Sequence, residues 1–185
     1  MKVIVGISGA TGPIYGIRLL EEMKKLEIET HLILSRWAET TIKVETSYTV
    51  NDVKKLATYV YASDNLAAII SSGSFLTDGM IIAPCSMKTL AAISHGYTDN
   101  LIARAADVVL KESRKLVIIP REAPLNEIHL ENLLRLARMG VVVLPPMPAF
   151  YNKPKNVEDI VDHTVSRVLD QFRIENNITK RWLHS

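Results

Sequence analysis

Five short apolar runs rich in Val and Ile divide this chain, each followed by a polar or proline-bearing turn, with segments of helical periodicity between them. The runs are Val3–Ile7, Thr30–Leu34, Gly79–Ala83, Lys115–Ile119 and Val141–Leu144. Continuous branched runs suit strands covered on both faces, and strands that alternate with helices pair in parallel. The pattern therefore predicts an α/β fold, a three-layer open parallel sheet of Rossmann-like or flavodoxin-like kind with helices on both faces. After the first run, Leu19, Leu20, Met23 and Leu26 fall on one helical face, while Arg18, Glu21, Glu22, Lys24 and Lys25 face water. Asp99–Glu112 and Asn126–Met139 predict later crossover helices, and Asp159–Phe172 a closing one. From Glu39 to Phe75 the helical signal is weak and Tyr59-Val60-Tyr61 is ambiguous; Ser71–Phe75 reads as a loop, either beside a site or a plain connection.

A chain of 185 residues, 48% of them hydrophobic, can bury a substantial core and is expected to form one domain over 1–185. Its tail, 173–185, is polar apart from Ile174, Ile178, Trp182 and Leu183, anchors that suggest docking rather than a free end. Net charge is +2 with no long single-sign run, so composition gives nucleic-acid binding no support. No apolar segment reaches membrane-spanning length and a strand begins after one lysine, which leaves neither a spanning helix nor a secretory signal; the expected location is the cytoplasm. Cys85, the one cysteine, sits among apolar residues and reads as a core thiol rather than a nucleophile. The histidines lack ligand spacing, so no metal site is expected.

In such a sheet the ligand crevice lies beyond the carboxyl ends of the strands, where the polar turns fall. Gly6-Ile7-Ser8-Gly9-Ala10-Thr11-Gly12 joins a strand to a helix. Glycines admit close backbone approach and a helix N-terminus favours an anion, so the turn suits a phosphorylated cofactor, or else tight packing alone. Its spacing matches neither the dinucleotide fingerprint nor the nucleoside triphosphate loop. Ser35 and Arg36 stand where a carboxylate would read NAD ribose; Ser35 can meet a flavin phosphate or ribityl chain, or cap a helix. Pro84-Cys85-Ser86-Met87-Lys88-Thr89 forms a second anion-ready turn, and two such turns favour a mononucleotide.

Arg104, Asp107 and Lys111 are spaced as a helical charge row, either a surface ion network or, beside small Ala103, Ala105 and Ala106 that allow close packing, a cation able to reach an anionic substrate; the Ala-rich surface, with the anchored tail, also suggests an oligomer. Arg121-Glu122 pairs a phosphate-clamping cation with a carboxylate able to move a proton, or forms a strand-end ion pair. Three prolines stiffen Leu144–Tyr151, which presents Met147, Phe150 and Tyr151 to a ligand or to plain packing. Arg167 stands at the edge of the apolar face of the closing helix, its head free for water.

With these motifs in this order, the chain resembles the flavin prenyltransferase family, relatives of the flavin-containing cysteine decarboxylases. The likeness runs almost end to end through GISGATGPIYG (Gly6–Gly16), PCSMKTLAAISHG (Pro84–Gly96), DNLIARAADVVLKE (Asp99–Glu112), PREAPLNEIHLENLLRL (Pro120–Leu136) and PAFYNKP (Pro148–Pro154). The resemblance implies a metal-free enzyme that attaches a dimethylallyl group from dimethylallyl phosphate to N5 and C6 of reduced FMN. It implies a homododecamer with sites at subunit junctions, and delivery of the prenylated FMN to a separate decarboxylase that depends on it. Flavin-binding residues by this resemblance are Gly9, Ala10, Thr11, Ser35, Ser86, Met87, Lys88, Thr89, Arg104 and Arg121. Tyr151, Arg167, Lys111 and Glu122 resemble the prenyl phosphate binders, and Glu122, Thr11, Lys111, Arg121 and Glu45 the catalytic set. Thr11 replaces a frequent serine, and Leu66 an aromatic of some relatives. The decarboxylases use a histidine near mid-chain, whereas none occurs here between His31 and His95, so prenyl transfer is favoured over cysteine decarboxylation; a noncatalytic flavin carrier and, more remotely, an NADP reductase stand as further alternatives.

Overall fold

A computed structural model describes residues 1–182. Six parallel strands form one open sheet in the order β3-β2-β1-β4-β5-β6, with β1 Lys2–Ile7, β2 Glu29–Leu34, β3 Tyr59–Ala62, β4 Gly79–Cys85, β5 Lys115–Pro120 and β6 Val142–Val143. The sequence of helices is α1 Ile14–Lys25, α2 Arg36–Glu45, α3 Val50–Lys54, α4 Met87–Ser94, α5 Leu101–Lys111, α6 Glu127–Arg138 and α7 Val157–Gln171. All five predicted strands are present, and the Tyr59 run supplies the sixth as a sheet edge. The weak Glu39–Phe75 region holds most of α2, all of α3 and a 3-10 turn at Ile69–Ser71.

Period-two alternation sends side chains of each strand to opposite faces, and both faces are covered. Val3, Val5 and Ile7 of β1, Ile81 and Ala83 of β4, and Val117 and Ile119 of β5 pack beneath α1, α2, α3 and α7. Ile4 of β1, Met80 and Ile82 of β4, and Leu116 and Ile118 of β5 pack beneath α4, α5 and α6. Each large aliphatic side chain buried this way contributes about 1.5–3 kcal/mol of transfer free energy, which makes the sheet a rigid base for the turns at its ends. Leu26, expected on the buried face of α1, instead caps that helix and is 43% exposed, because the chain has already turned away there.

Two close approaches fix the layers. A Cβ on Gly16 of α1 would stand 2.3 Å from the Ala83 carbonyl oxygen of β4. Arg18 of α1 donates from Nε to Asp162 of α7 at 2.6 Å, tying the closing helix to the first. In the tail, Ile174 and Ile178 pack on the core under α1 and α7, and Arg181 grips Asp170 with bonds of 2.7 and 2.9 Å. Leu183, the last of the expected tail anchors, lies outside the described residues.

Candidate functional site

The connection from β1 passes to α1 on one face of the sheet and that from β4 to α4 on the other, so a crevice opens between the carboxyl ends of these neighbouring strands. A cleft of ≈ 520 Å³ lies there, within the size range of small-molecule sites. It is lined by Gly9 from the first turn and by the starts of three helices: Ser35, Arg36 and Trp37 at α2, Ser86, Lys88 and Thr89 at α4, and Asp99, Asn100 and Ile102 at α5. Ser63 and Ala92 complete it.

Each of the three helices begins on a side-chain cap. Ser35 Oγ accepts the Ala38 amide at 3.1 Å, Ser86 Oγ the Thr89 amide at 3.3 Å, and Asn100 Oδ1 the Ala103 amide at 3.1 Å. The caps leave first-turn amides without intrahelical partners, and three positive dipole ends meet at one cavity. Arg36 and Lys88 add charge of the same sign, opposed by Asp99. The arrangement can hold a phosphate and a polar chain. Ser35 and Ser86 thus cap helices and line the cleft at once.

The glycines divide by purpose. A Cβ on Gly9 would meet Trp37 Cβ at 2.3 Å, so this glycine lets the first turn pack against α2 at the cleft wall. Gly12 adopts φ +88°, the left-handed region that glycine enters without cost. Beside it, the Glu45 carboxylate accepts from the Thr11 hydroxyl at 3.0 Å and from the Gly12 amide at 2.7 Å, bringing together two residues assigned to the same chemistry. Ala10 is buried next to them and Thr11 is exposed.

Of the other expected site residues, none lines this cleft among the described residues. Met87 starts α4 but its side chain packs on the core. Arg121 follows β5 with its amide on the Cys85 carbonyl at 3.1 Å, one residue from Ser86, and its guanidinium partly offsets the upward push of burial on the Tyr15 hydroxyl. Glu122 is exposed and makes no ion pair with Arg121; its carboxylate accepts the Ala123 amide at 3.1 Å. On α5, Arg104 pairs with Asp107 at 2.8 Å, but Lys111 leaves the expected charge row and pairs with Glu112 at 2.5 Å.

Lys111 ends a helix whose N-terminus faces the cleft, about 15 Å of helix axis away at 1.5 Å per residue. It lies near Gly73, whose Cβ would stand 2.9 Å from its Nζ, at the amino end of the sheet. The Ser71–Phe75 loop is held there too, by Arg114 bonds of 2.7 and 2.8 Å to the Gly73 and Phe75 carbonyls, and so does not border the crevice. Tyr151 lines a separate cleft with Lys153, Lys180, Arg181 and Trp182. Its hydroxyl lies 2.9 Å from His163 Nε2, where burial and Arg167 hold the imidazole below its ordinary pKa. Arg167, exposed, pairs with Asp170 at 2.9 Å.

Sequence reasoning missed Trp37, Ser63, Asp99 and Asn100 as cleft residues, and missed what Ser8 does. The signal for Asn100 was half present: an Asn directly before an apolar-periodic helix is a cap, but α5 follows α4 rather than a strand, so nothing in the sequence turned that cap toward the crevice. Cys85 is fully buried, and burial pushes its thiol up to about 12, as befits a core residue. Among the described residues no group of His, Cys, Asp or Glu could hold a metal, and no helix is long and apolar enough to cross a membrane.

The flavoprotein family matches residues 1–169. A probable UbiX-like flavin prenyltransferase of Bacillus subtilis (strain 168) is 59% identical over 182 residues, covering 98% of this chain and 89% of that protein. A dodecameric FMN-dependent UbiX-like decarboxylase from Escherichia coli O157:H7 superposes with TM-score 0.98 at 58% identity over the full length of both chains. AnUbiX (PadA1), solved in complex with FMN and dimethylallyl pyrophosphate, superposes with TM-score 0.97 at 50% identity, covering 100% of this chain and 98% of that one. A strand-end cleft built from three helix N-termini, on a chain this similar to those proteins throughout, makes it a member of the flavoprotein family and, within it, of the UbiX-like flavin prenyltransferases.

Proposed function

We propose that the protein transfers a dimethylallyl group from dimethylallyl phosphate to N5 and C6 of reduced FMN, and that the prenylated FMN is released to a separate decarboxylase. The observation that carries this reading is the convergence of the α2, α4 and α5 N-termini on the ≈ 520 Å³ cleft. This cleft fits a mononucleotide: unpaired amides and hydroxyls suit one phosphate and a ribityl chain, while Trp37, Ala92 and Ile102 offer apolar surface to a ring system. Gly9, Ser35, Ser86, Lys88 and Thr89 hold the cofactor from the cleft wall, while Ala10, Thr11, Met87 and Arg121 support it from the adjoining turns, with Arg104 at its margin. Reduced FMN supplies the electron-rich N5 and C6 to which the two new carbon bonds are made.

Lys111, Arg121, Tyr151 and Arg167 bind the phosphate of the donor and stabilise its negative charge as the carbon–oxygen bond breaks. Glu122 handles the protons of ring closure, in which the allyl double bond takes up one proton as C6 gives one up, and Thr11 with Glu45 keeps a hydroxyl and a carboxylate in one hydrogen-bonded unit beside the phosphate. Within one chain these groups stand apart, with Lys111 at the amino end of the sheet and Tyr151 in a different cleft from Ser86. The site is therefore completed between copies of the chain, in a homododecamer like that of the Escherichia coli relative.

Anaerobic incubation of the protein with reduced FMN and dimethylallyl phosphate, followed by mass spectrometry, is expected to give a five-carbon flavin adduct; flavin that stays unmodified under fully reducing, fold-preserving conditions defeats the reading. Lys111→Ala and Tyr151→Phe chains, each impaired alone, are expected to regain part of the activity when refolded together, because a mixed assembly contains junctions with both residues. Failure of every mixture to exceed its parents places both groups in one subunit.

A further inference from the structure

The β1–β4 ladder runs from Val3 opposite Gly79 to Gly6 opposite Ile82, and beyond it the two strands diverge toward α1 and α4 on opposite faces of the sheet. The regular ladder stops where the crevice opens. Ser8 carries the link past it, with its side chain and its own amide. Its Oγ donates to the Pro84 carbonyl at 2.8 Å and accepts the Ser86 amide at 2.8 Å, and its own amide donates to the same Pro84 carbonyl at 3.2 Å. One residue thus ties the turn that carries Gly9 to the turn that opens α4, and both Gly9 and Ser86 line the cleft.

We propose that Ser8 is a positioning residue for the flavin: its hydroxyl sets the distance between the two anion-holding turns, and its effect on the cofactor passes through them. This rests on the FMN reading above. Ser8 is 1% exposed, and its oxygen already serves one donor and one acceptor, so it acts through Gly9 and Ser86 rather than by touching ligand. The task needs a single atom that both donates and accepts on a side chain one carbon long. A hydroxyl meets it, a thiol meets it weakly, and a methyl leaves the Ser86 amide without its partner.

The test compares Ser8→Ala, Ser8→Cys and Ser8→Thr with wild type in oligomeric protein, reading FMN Kd, the visible circular dichroism of bound FMN, and the Tm of flavin-free protein. Ser8→Ala is expected to raise the FMN Kd about tenfold, the effect of one lost buried hydrogen bond, and to alter the flavin dichroism. Ser8→Thr, which keeps the hydroxyl, should restore both, and Ser8→Cys should fall between. Wild-type Kd and dichroism in Ser8→Ala overturn the proposal, as does a folded Ser8→Thr that binds no better than Ser8→Ala. Where Ser8→Ala does not fold, the order of Ser8→Thr over Ser8→Cys decides in the same way. Wild-type protein that binds no FMN would instead reject the flavin reading itself, so the two failures are distinct.

Discussion

The Glu45 carboxylate accepts the Thr11 hydroxyl at 3.0 Å and the Gly12 amide at 2.7 Å, joining the end of α2 to the turn after β1. Removing either partner should disturb the same bonded unit. Glu45→Ala and Thr11→Val are each expected to slow prenyl transfer, and the double variant to lose less than the sum, with a coupling of about 1 kcal/mol in kcat/KM. Additive losses would show that the two residues act separately.

Gly16→Ala provides a test of the helix-to-sheet contact. In an open helix this change is favourable by up to about 1 kcal/mol. Here the new Cβ would stand 2.3 Å from the Ala83 carbonyl oxygen and 2.7 Å from Ile7 Cδ1, so α1 must move off the sheet. Overpacking of this kind costs about 1–3 kcal/mol, and urea unfolding should show a lower midpoint than wild type.

Cys85 should be silent to thiol reagents in the folded protein. With no solvent exposure and a thiol pushed up to about 12, it carries almost no thiolate at pH 8. Labelling with a chromogenic disulfide is expected to be negligible in the native protein and to reach one equivalent per chain in denaturant. Rapid native labelling would instead mark Cys85 as a reactive group.

Acid stability should report the tail contact. The Arg181 guanidinium, with bonds of 2.7 and 2.9 Å, holds the Asp170 carboxyl below its ordinary pKa, so the folded state binds this proton less readily than the unfolded one. The stabilisation is present in full above the ordinary carboxylate range and is lost as pH falls through the lower, folded value. Asp170→Asn is therefore expected to lower Tm at pH 7, with the gap to wild type closing below about pH 4. A gap that stays constant down to pH 2.5 would mean the ionised carboxylate is irrelevant to the contact.

What could be read from the sequence followed burial. Strands covered on both faces keep unbroken Val and Ile runs, and all five were legible; β3 was ambiguous because Tyr59 and Val60, 51% and 40% exposed at the sheet edge, carry no such pattern. In α2 only Ala38 and Ile42 are buried, and in α3 only Val53, too few positions to establish a helical period. The strand-end turns could be recognised as neighbours because parallel topology places every carboxyl end at one edge. The position of Lys111 could not, since it depends on the length and direction of α5 rather than on its neighbours in sequence. Ser8, one small polar residue at the end of an apolar run, is indistinguishable from turn filler until the partners across the crevice are known.

A cleft whose attraction for anions begins with main-chain amides has a property that a cluster of histidines would lack. An amide has no proton to gain or lose in ordinary buffers, so the field at the mouths of α2, α4 and α5 is the same in mild acid as in mild base. A phosphate monoester, by contrast, passes from one negative charge to two near pH 6. Any rise in affinity across neutrality would then be written by the guest rather than the host, which leaves the receptor equally ready wherever the chain is folded.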